Sequence, residues 1–190
     1  MSQRVVVPLA PGFEEIEAVT IIDVLRRAEL DVVVAGLAPG LVYGAHGLGV
    51  ETDTTIDNLG DAKVDMVALP GGLPGADHLL ADDGVQALIA KVRDEDGWLC
   101  AICAAPMALG PSGVTKDRCV TSYPGFGDRF DYKQYLENRV VIDGKVITSR
   151  GPGTSLEFAL ELVRALCGDE KAQALEVGML VHRPESAHIA

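Results

Sequence analysis

Four runs of consecutive apolar residues mark the first 105 residues, and polar residues at helical spacing separate them. Continuous apolar runs are typical of parallel strands that are buried on both faces. They predict strands with the sequences RVVVPLA (4–10), DVVVAGLA (31–38), VDMVALPGG (64–72) and GWLCAICAA (97–105). Pro8 is awkward in the first run, because proline removes a hydrogen-bond donor from a strand ladder.

Helical spacing of apolar residues appears after most of these runs. It predicts helices in EEIEAVTIIDVLRRAEL (14–30), DGVQALIAKVRDED (83–96), PMALGPSG (106–113, a short and broken helix) and TSLEFALELVRALCGDEKAQALEVGMLV (154–181). Acidic residues open the first helix, and Arg26 and Arg27 close it, as the helix dipole favours. Thr154 or Ser155 is expected to cap the last region, and Gly168 to end its first helix.

The alternation of strand and helix predicts an α/β fold, with an open parallel sheet between two layers of helices. Residues 42–56, around YGAHGLG, break the alternation and predict a small β-hairpin excursion with His46 in its loop. A two-residue turn at Asp143-Gly144 predicts a second hairpin. A single domain over residues 1–190 is expected, with a disordered tail at about 183–190.

Bulk properties exclude several classes of protein. The net charge of −12 argues against a nucleic-acid or anionic-membrane binder, because both need clustered Lys and Arg. No apolar stretch approaches the ~20 residues of a membrane span, and the N-terminus lacks the apolar run of a signal peptide. Four cysteines are too few for a disulfide framework in a chain of this size. We therefore expect a soluble, cytoplasmic protein.

Cys100 and Cys103 form a Cys-x-x-Cys sequence, but their position argues against a redox pair. Residues three apart in an extended strand lie ~10 Å from each other on opposite faces, whereas a disulfide needs Cα atoms within roughly 4.4–6.8 Å. No second Cys-x-x-Cys and no histidine at ligand spacing completes a metal site, so no metal is expected. Cys100, Cys119 and Cys167 are expected to act as small buried hydrophobic residues.

Cys103 follows the fourth apolar run directly, within the sequence Ala-Ile-Cys-Ala-Ala. Small flanking residues are what a tight strand-to-helix elbow needs, and an elbow holds a nucleophile over the carboxyl ends of the strands. The start of the next helix is expected to favour the thiolate. A buried structural cysteine is the alternative.

Two further turns end at the same predicted edge of the sheet. The LPGG turn supplies Gly71 and Gly72, whose backbone N–H groups can face a substrate oxygen, although a plain tight turn is the alternative. The APGFEEIE turn puts Glu14, Glu15 and Glu17 at the start of the first helix, with Glu14 and Glu17 on one face. These carboxylates can also serve simply to complement the helix dipole.

The motifs LPGG, AICAAP and SRGPGTSLEFALELV, at this spacing, resemble the ThiJ/PfpI superfamily. The branch they resemble holds the Parkinsonism-associated deglycase and bacterial YajL-type proteins, and the resemblance covers residues 4–181. It implies a flavodoxin-like fold, a homodimer, a reactive Cys103, and Glu17 as a protonated acidic partner of that cysteine. Spacing alone does not single out Glu17 among the three glutamates.

The resemblance also implies activity as a cofactor-free, glutathione-independent glyoxalase on 2-oxoaldehydes, or as a deglycase on protein and nucleotide adducts. We expect Cys103 to attack the aldehyde carbon, N–H groups of Gly72 and Ala104 to hold the oxyanion, and Glu17 to transfer the proton. The rival is an oxidative-stress sensor or chaperone for unfolded proteins, in which Cys103 becomes a sulfinate.

Many members of the superfamily carry a histidine near the cysteine, where Tyr123 stands in this sequence. No histidine occurs between His78 and His182, so a Cys-His dyad is not expected and a cysteine hydrolase is the weakest of the three hypotheses. Tyr123 is expected at the wall of the substrate pocket, as a hydrogen-bond donor or as packing.

Overall fold

The computed structural model describes residues 2–181, so the predicted tail at 183–190 lies outside the described residues. The strands are β1 (Arg4–Leu9), β2 (Asp31–Gly36), β3 (Leu41–Tyr43), β4 (Gly49–Glu51), β5 (Thr54–Thr55), β6 (Met66–Leu69), β7 (Trp98–Ile102), β8 (Cys119–Val120), β9 (Gln134–Tyr135), β10 (Val140–Asp143) and β11 (Val146–Ser149). The helices are α1 (Glu15–Arg27), α2 (Gly75–Ala81), α3 (Asp83–Asp94), α4 (Pro106–Leu109), α5 (Ser155–Cys167) and α6 (Asp169–Gly178).

Seven strands form the central sheet, in the order β10-β11-β7-β6-β1-β2-β5. All neighbours are parallel except β10, which pairs antiparallel with β11 at one edge. Helices α1, α5 and α6 contact one another, and α2, α3 and α4 form a second group. The predicted flavodoxin-like α/β sandwich is therefore confirmed.

The core lies where the continuous apolar runs predict it. Every residue of β6 and β11 is buried, and in β1 and β7 only the first residue is partly exposed. Burial on both faces explains why β6 and β7 are apolar throughout, and β1 after Arg4, instead of alternating. In β11 the last two buried residues, Thr148 and Ser149, are polar. Pro8 lies within β1, beyond the residues Val5 and Val6 that pair with β6, so the ladder to β6 has already ended there.

Four details differ from the sequence-based expectations. Asp143 pairs with Val146, so the hairpin turn consists of Gly144 and Lys145 instead of Asp143-Gly144. The excursion forms the β3–β4 hairpin, but its last residues form β5 and join the central sheet. Helix α2 was not predicted, because its seven residues are too few for a clear period.

The fourth difference concerns the cysteines. Cys100 is buried as expected, but Cys119 is only half-buried and Cys167 is exposed. Cys167 ends α5, where exposure increases: residues 164–166 are already partly exposed, although Ala165 and Leu166 still pack against the core. Within residues 2–181, no helix has both the length and the apolar character needed to cross a membrane.

Candidate active site

Cys103 occupies a sharp elbow directly after β7. Its φ is +64°, a left-handed conformation that costs a non-glycine residue about 1–2 kcal/mol. Two backbone hydrogen bonds hold it there: its N–H donates to Ser149 O at 3.0 Å, and its carbonyl accepts from the N–H of Tyr123 at 2.8 Å. The elbow therefore lifts the side chain out of the sheet plane at the carboxyl ends of the strands, where open α/β sheets bind ligands. The residue is 8% exposed.

Glu17 is fully buried in the first turn of α1, although carboxylates are rarely buried without a charged partner. Its backbone N–H donates to the carboxylate of Glu14, the N-cap of the helix, at 2.7 Å. Its own Oε2 accepts from the N–H of Gly71 at 2.7 Å. Oε1 is buried without a hydrogen-bond partner among the described residues. A proton on Glu17 therefore belongs on Oε1, because Oε2 is already used as an acceptor.

The two glycines of the LPGG turn allow Glu17 and Cys103 to meet. A Cβ at Gly71 would lie 2.6 Å from Cβ of Cys103 and 2.8 Å from Oε2 of Glu17, so only glycine fits between them. Gly72 has φ +90°, and a Cβ there would lie 2.3 Å from the backbone N of Glu14. Since the Gly71 N–H is used by Glu17, Gly71 positions the carboxyl group and has no free donor for a substrate.

Burial and mutual repulsion set the protonation of the pair. Burial raises the pKa of Glu17 to about 7, although the Gly71 hydrogen bond and the Cys103 thiol oppose the shift. Burial also raises the pKa of Cys103, and the carboxylate of Glu17 raises it further. The carboxylate and the thiolate therefore do not coexist at neutral pH. The pair loses its first proton near pH 7, and the carboxyl group and the thiol then share the proton that remains.

The N–H groups of Gly72 and Ala104 point towards the sulfur of Cys103 and lower the pKa of the thiol. They partly offset burial, but they do not outweigh it. The start of the next helix acts in the expected direction through Ala104, but the net pKa of the thiol is raised. Helix α4 has only four residues, and burial is the largest influence on the thiol.

The sequence did not indicate which residue Glu15 binds. Glu15 binds the tip of the β3–β4 hairpin, through the backbone N–H and the imidazole Nδ1 of His46, the latter at 2.8 Å. No sequence signal pointed to this contact, because the two residues are 31 positions apart. Glu14, Glu15 and His46 have potential metal-ligand atoms within 4.8 Å of one another. The helix cap and the ion pair already account for this arrangement.

Tyr123 lies beside the elbow, and its hydroxyl group forms no side-chain hydrogen bond within residues 2–181. Its side chain is 46% exposed and packs edge-on against Phe126. A Cβ at Gly151 would lie 3.2 Å from the ring. Tyr123 therefore acts on Cys103 through its backbone N–H, and its ring lines a cleft next to the site.

Residues 3–165 match the DJ-1/PfpI family. The chain belongs to this family. It is 41% identical to protein dj-1beta of Drosophila melanogaster over 184 residues, covering 95% of this chain and 98% of the fly protein. It is 37% identical to a Caenorhabditis elegans protein named glutathione-independent glyoxalase DJR-1.2 over 165 residues, covering 85% of this chain and 87% of the worm protein.

Solved structures show the same fold. The crystal structure of the fly DJ-1beta superposes with a TM-score of 0.92 and covers 96% of this chain and 100% of the fly chain. Oxidized Toxoplasma gondii DJ-1 superposes with a TM-score of 0.90 at 35% identity, over 94% of this chain and 98% of that one. Some relatives are longer: this chain spans 41% of Arabidopsis thaliana DJ-1 homolog B.

Proposed function

We propose that this protein is a cofactor-free glyoxalase of the DJ-1 type that converts 2-oxoaldehydes such as methylglyoxal into 2-hydroxy acids. The observation that carries the proposal is the pairing of Cys103, on its elbow, with a buried carboxyl group whose pKa lies near 7. A nucleophile and a proton carrier that titrates near the working pH are the two groups that the reaction needs.

In the proposed reaction, the Cys103 sulfur bonds to the aldehyde carbon of methylglyoxal while Glu17 protonates the resulting oxyanion. The product of this step is a hemithioacetal. The N–H groups of Gly72 and Ala104, which point towards the sulfur, are near enough to stabilise the developing negative charge. Glu17, now a carboxylate, removes the proton from the former aldehyde carbon to give an enediolate, in which the hydroxyl proton passes to the neighbouring oxygen.

Returning that proton to the neighbouring carbon yields a lactoyl thioester on Cys103. Water then cleaves the thioester, releasing lactate and restoring the thiol, so that the net reaction is the addition of one water to methylglyoxal. Each step moves one proton, which fits a pair that holds a single proton at neutral pH. The name of the worm relative supports the same reaction class.

The decisive experiment is the assay of lactate from methylglyoxal by the wild-type protein without glutathione, followed by intact mass measurement. Repeated turnover with an unmodified thiol supports the proposal. Absence of lactate from a folded, fully reduced protein contradicts it. Adducts of the aldehyde on proteins and nucleotides belong to the same proposal, because these adducts release free aldehyde reversibly.

A second candidate function, oxidation sensing, has one structural argument. A sulfinate on Cys103 would find donors in the N–H groups of Gly72 and Ala104 and in protonated Glu17. A relative, Toxoplasma gondii DJ-1, is known in an oxidized form. Gain of two oxygens at Cys103 under mild peroxide, without lactate formation, would favour sensing over catalysis.

The other expectations stay predictions. A homodimer, cytoplasmic location and binding of unfolded proteins follow from the resemblance to the family. Sedimentation analysis tests the dimer directly: a single species with the mass of one chain would contradict it. Cysteine hydrolase activity is not proposed, since no histidine among residues 2–181 is bonded to Cys103.

A further inference from the structure

Arg150 is unusual among the arginines of this acidic protein. Residues 2–181 contain nine arginines, and the other eight each form a salt bridge with Asp or Glu. Arg150 forms none with the described residues, and its one side-chain hydrogen bond runs from Nη1 to the carbonyl of Glu137 at 3.0 Å. A partly buried guanidinium thus keeps its Nε and Nη2 donors free within residues 2–181.

The position of Arg150 links it to the reactive cysteine. It directly follows Ser149, the last residue of β11, whose carbonyl accepts from the Cys103 N–H. The next residue, Gly151, lies against the ring of Tyr123, whose own N–H donates to the Cys103 carbonyl. The two chain neighbours of Arg150 therefore contact the elbow, Ser149 directly and Gly151 through Tyr123.

A cleft opens at this point. It has a volume of about 260 Å³, and Tyr123, Pro124, Arg139, Arg150 and the 151–154 turn line it. Arg139 is neutralised, because its Nε donates to the carboxylate of Glu157 at 2.6 Å. Arg150 therefore supplies the uncompensated positive charge of the cleft.

We propose that Arg150 binds the anionic group, a carboxylate or a phosphate, of the carbonyl compound that reacts at Cys103. A planar guanidinium with two free donors can bind either group by paired hydrogen bonds. This inference rests on the proposed function and deepens its substrate class: negatively charged 2-oxoaldehydes are expected to react faster than neutral methylglyoxal, which remains a substrate.

Neighbouring negative charges do not cancel this preference. Glu17 shares its proton with Cys103, and Glu15 is paired with His46. Glu14 is used as the helix cap. The carboxylates nearest the sulfur are thus protonated or engaged. Arg150 forms no salt bridge within the described chain, although Asp128 and Glu137 line a second cavity beside it.

The test compares alkylation of Cys103 by iodoacetate and by iodoacetamide, which have nearly the same shape but differ in charge. Peptide mass spectrometry gives the rate at Cys103 and at exposed Cys167, which serves as an internal reference in the same molecule. The quantity compared is the iodoacetate rate divided by the iodoacetamide rate at Cys103, divided in turn by the same ratio at Cys167. This normalised ratio is expected to fall about fivefold in Arg150→Gln. Arg150→Lys keeps the charge but loses the planar donors, so its ratio should lie between those of Arg150→Gln and the wild type.

Arg27→Gln is the matched control, since Arg27 pairs with Asp23 at the far end of α1. Its ratio should equal that of the wild type. An unchanged ratio in Arg150→Gln, or an equal change in Arg27→Gln, would overturn the proposal.

Titration with inorganic phosphate, followed by NMR of the Gly151 amide, tests the site without relying on the cysteine. The amide signal should shift in the wild type and not in Arg150→Gln, and absence of a shift in the wild type would overturn the proposal. If Cys103 reacts with neither reagent while phosphate still binds, the proposed function fails and the anion site stands.

Discussion

Cys100 and Cys103 lie three residues apart and belong to the same short stretch of chain, yet their surroundings differ. Cys100 is within β7, paired in register with Ala68 and Ile147 of the neighbouring strands, and is fully buried. Cys103 lies one residue beyond the strand, at φ +64°, with two amides directed at its sulfur and a carboxyl group beside it. Burial raises the pKa of both thiols.

The comparison shows that depth of burial does not decide which cysteine can react. Both sulfurs lie in low-dielectric surroundings that disfavour the thiolate. Only Cys103 has a neighbour, Glu17, that can exchange a proton with it and a small opening to solvent. A thiol inside a sheet has only other strands beside it, whereas the end of a strand gives access to loops and helix starts that bring polar groups.

The largest expected effect comes from removing each thiol in turn. Cys103→Ala should lower the rate of lactate formation at least about a thousandfold, because the covalent intermediate cannot form. Cys100→Ala removes the same atom three residues away and should keep the rate within about threefold, at a cost in stability of about 1 kcal/mol. If both variants, measured as folded proteins, lost the same activity, Cys103 would not be the reacting group.

The second-largest effect is expected from changing Glu17, the carboxyl group that distinguishes the surroundings of Cys103 from those of Cys100. Glu17→Gln should reduce kcat about a hundredfold or more, since the amide keeps the contact with Gly71 but cannot carry the proton. Glu14→Gln is the control, because it alters the helix cap and removes only the smallest of the influences on the pKa of Glu17, while the carboxyl group of Glu17 itself stays in place. Loss of activity in Glu14→Gln as large as that in Glu17→Gln would assign the effect to the helix start in general.

The smallest effect is on stability, and its sign follows from the raised pKa of Glu17. Folding shifts this pKa from 4.5 to about 7, so the folded state binds the proton more tightly than the unfolded state. The stabilisation is complete below pH 4.5 and is lost as the pH rises through about 7, by up to about 3 kcal/mol. Relative to Glu17→Gln, the wild type should therefore lose free energy of unfolding between pH 4.5 and pH 8.

Urea denaturation of the wild type and Glu17→Gln between pH 4.5 and pH 8 measures the difference in their free energies of unfolding. The other carboxylates are the same in both proteins, so their contributions cancel in this difference. A difference that stays constant with pH would mean that Glu17 titrates in the folded protein as it does in the unfolded chain. That outcome would remove the physical basis for its role as a proton carrier near neutral pH.

The sequence alone determined the layers of this protein and the location of the elbow. Continuous apolar runs predicted β1, β2, β6 and β7, because burial on both faces leaves no position for polar residues. Small residues around Cys103 indicated a tight turn after the strand, since larger side chains do not fit there. These features are local in the chain, so their signals can be read from neighbouring residues.

Only the tertiary structure decided which groups meet at the end of β7. The hydrogen bond from Gly71 to Glu17 joins residues 54 positions apart, and Glu15 finds His46 on a hairpin that the spacing of the acidic residues does not reveal. Arg150 is distinctive because it forms no salt bridge in the described chain, which no local pattern records. Parallel strands bring their carboxyl ends to one edge of the sheet, and chemistry there depends on distances in space that sequence separation does not encode.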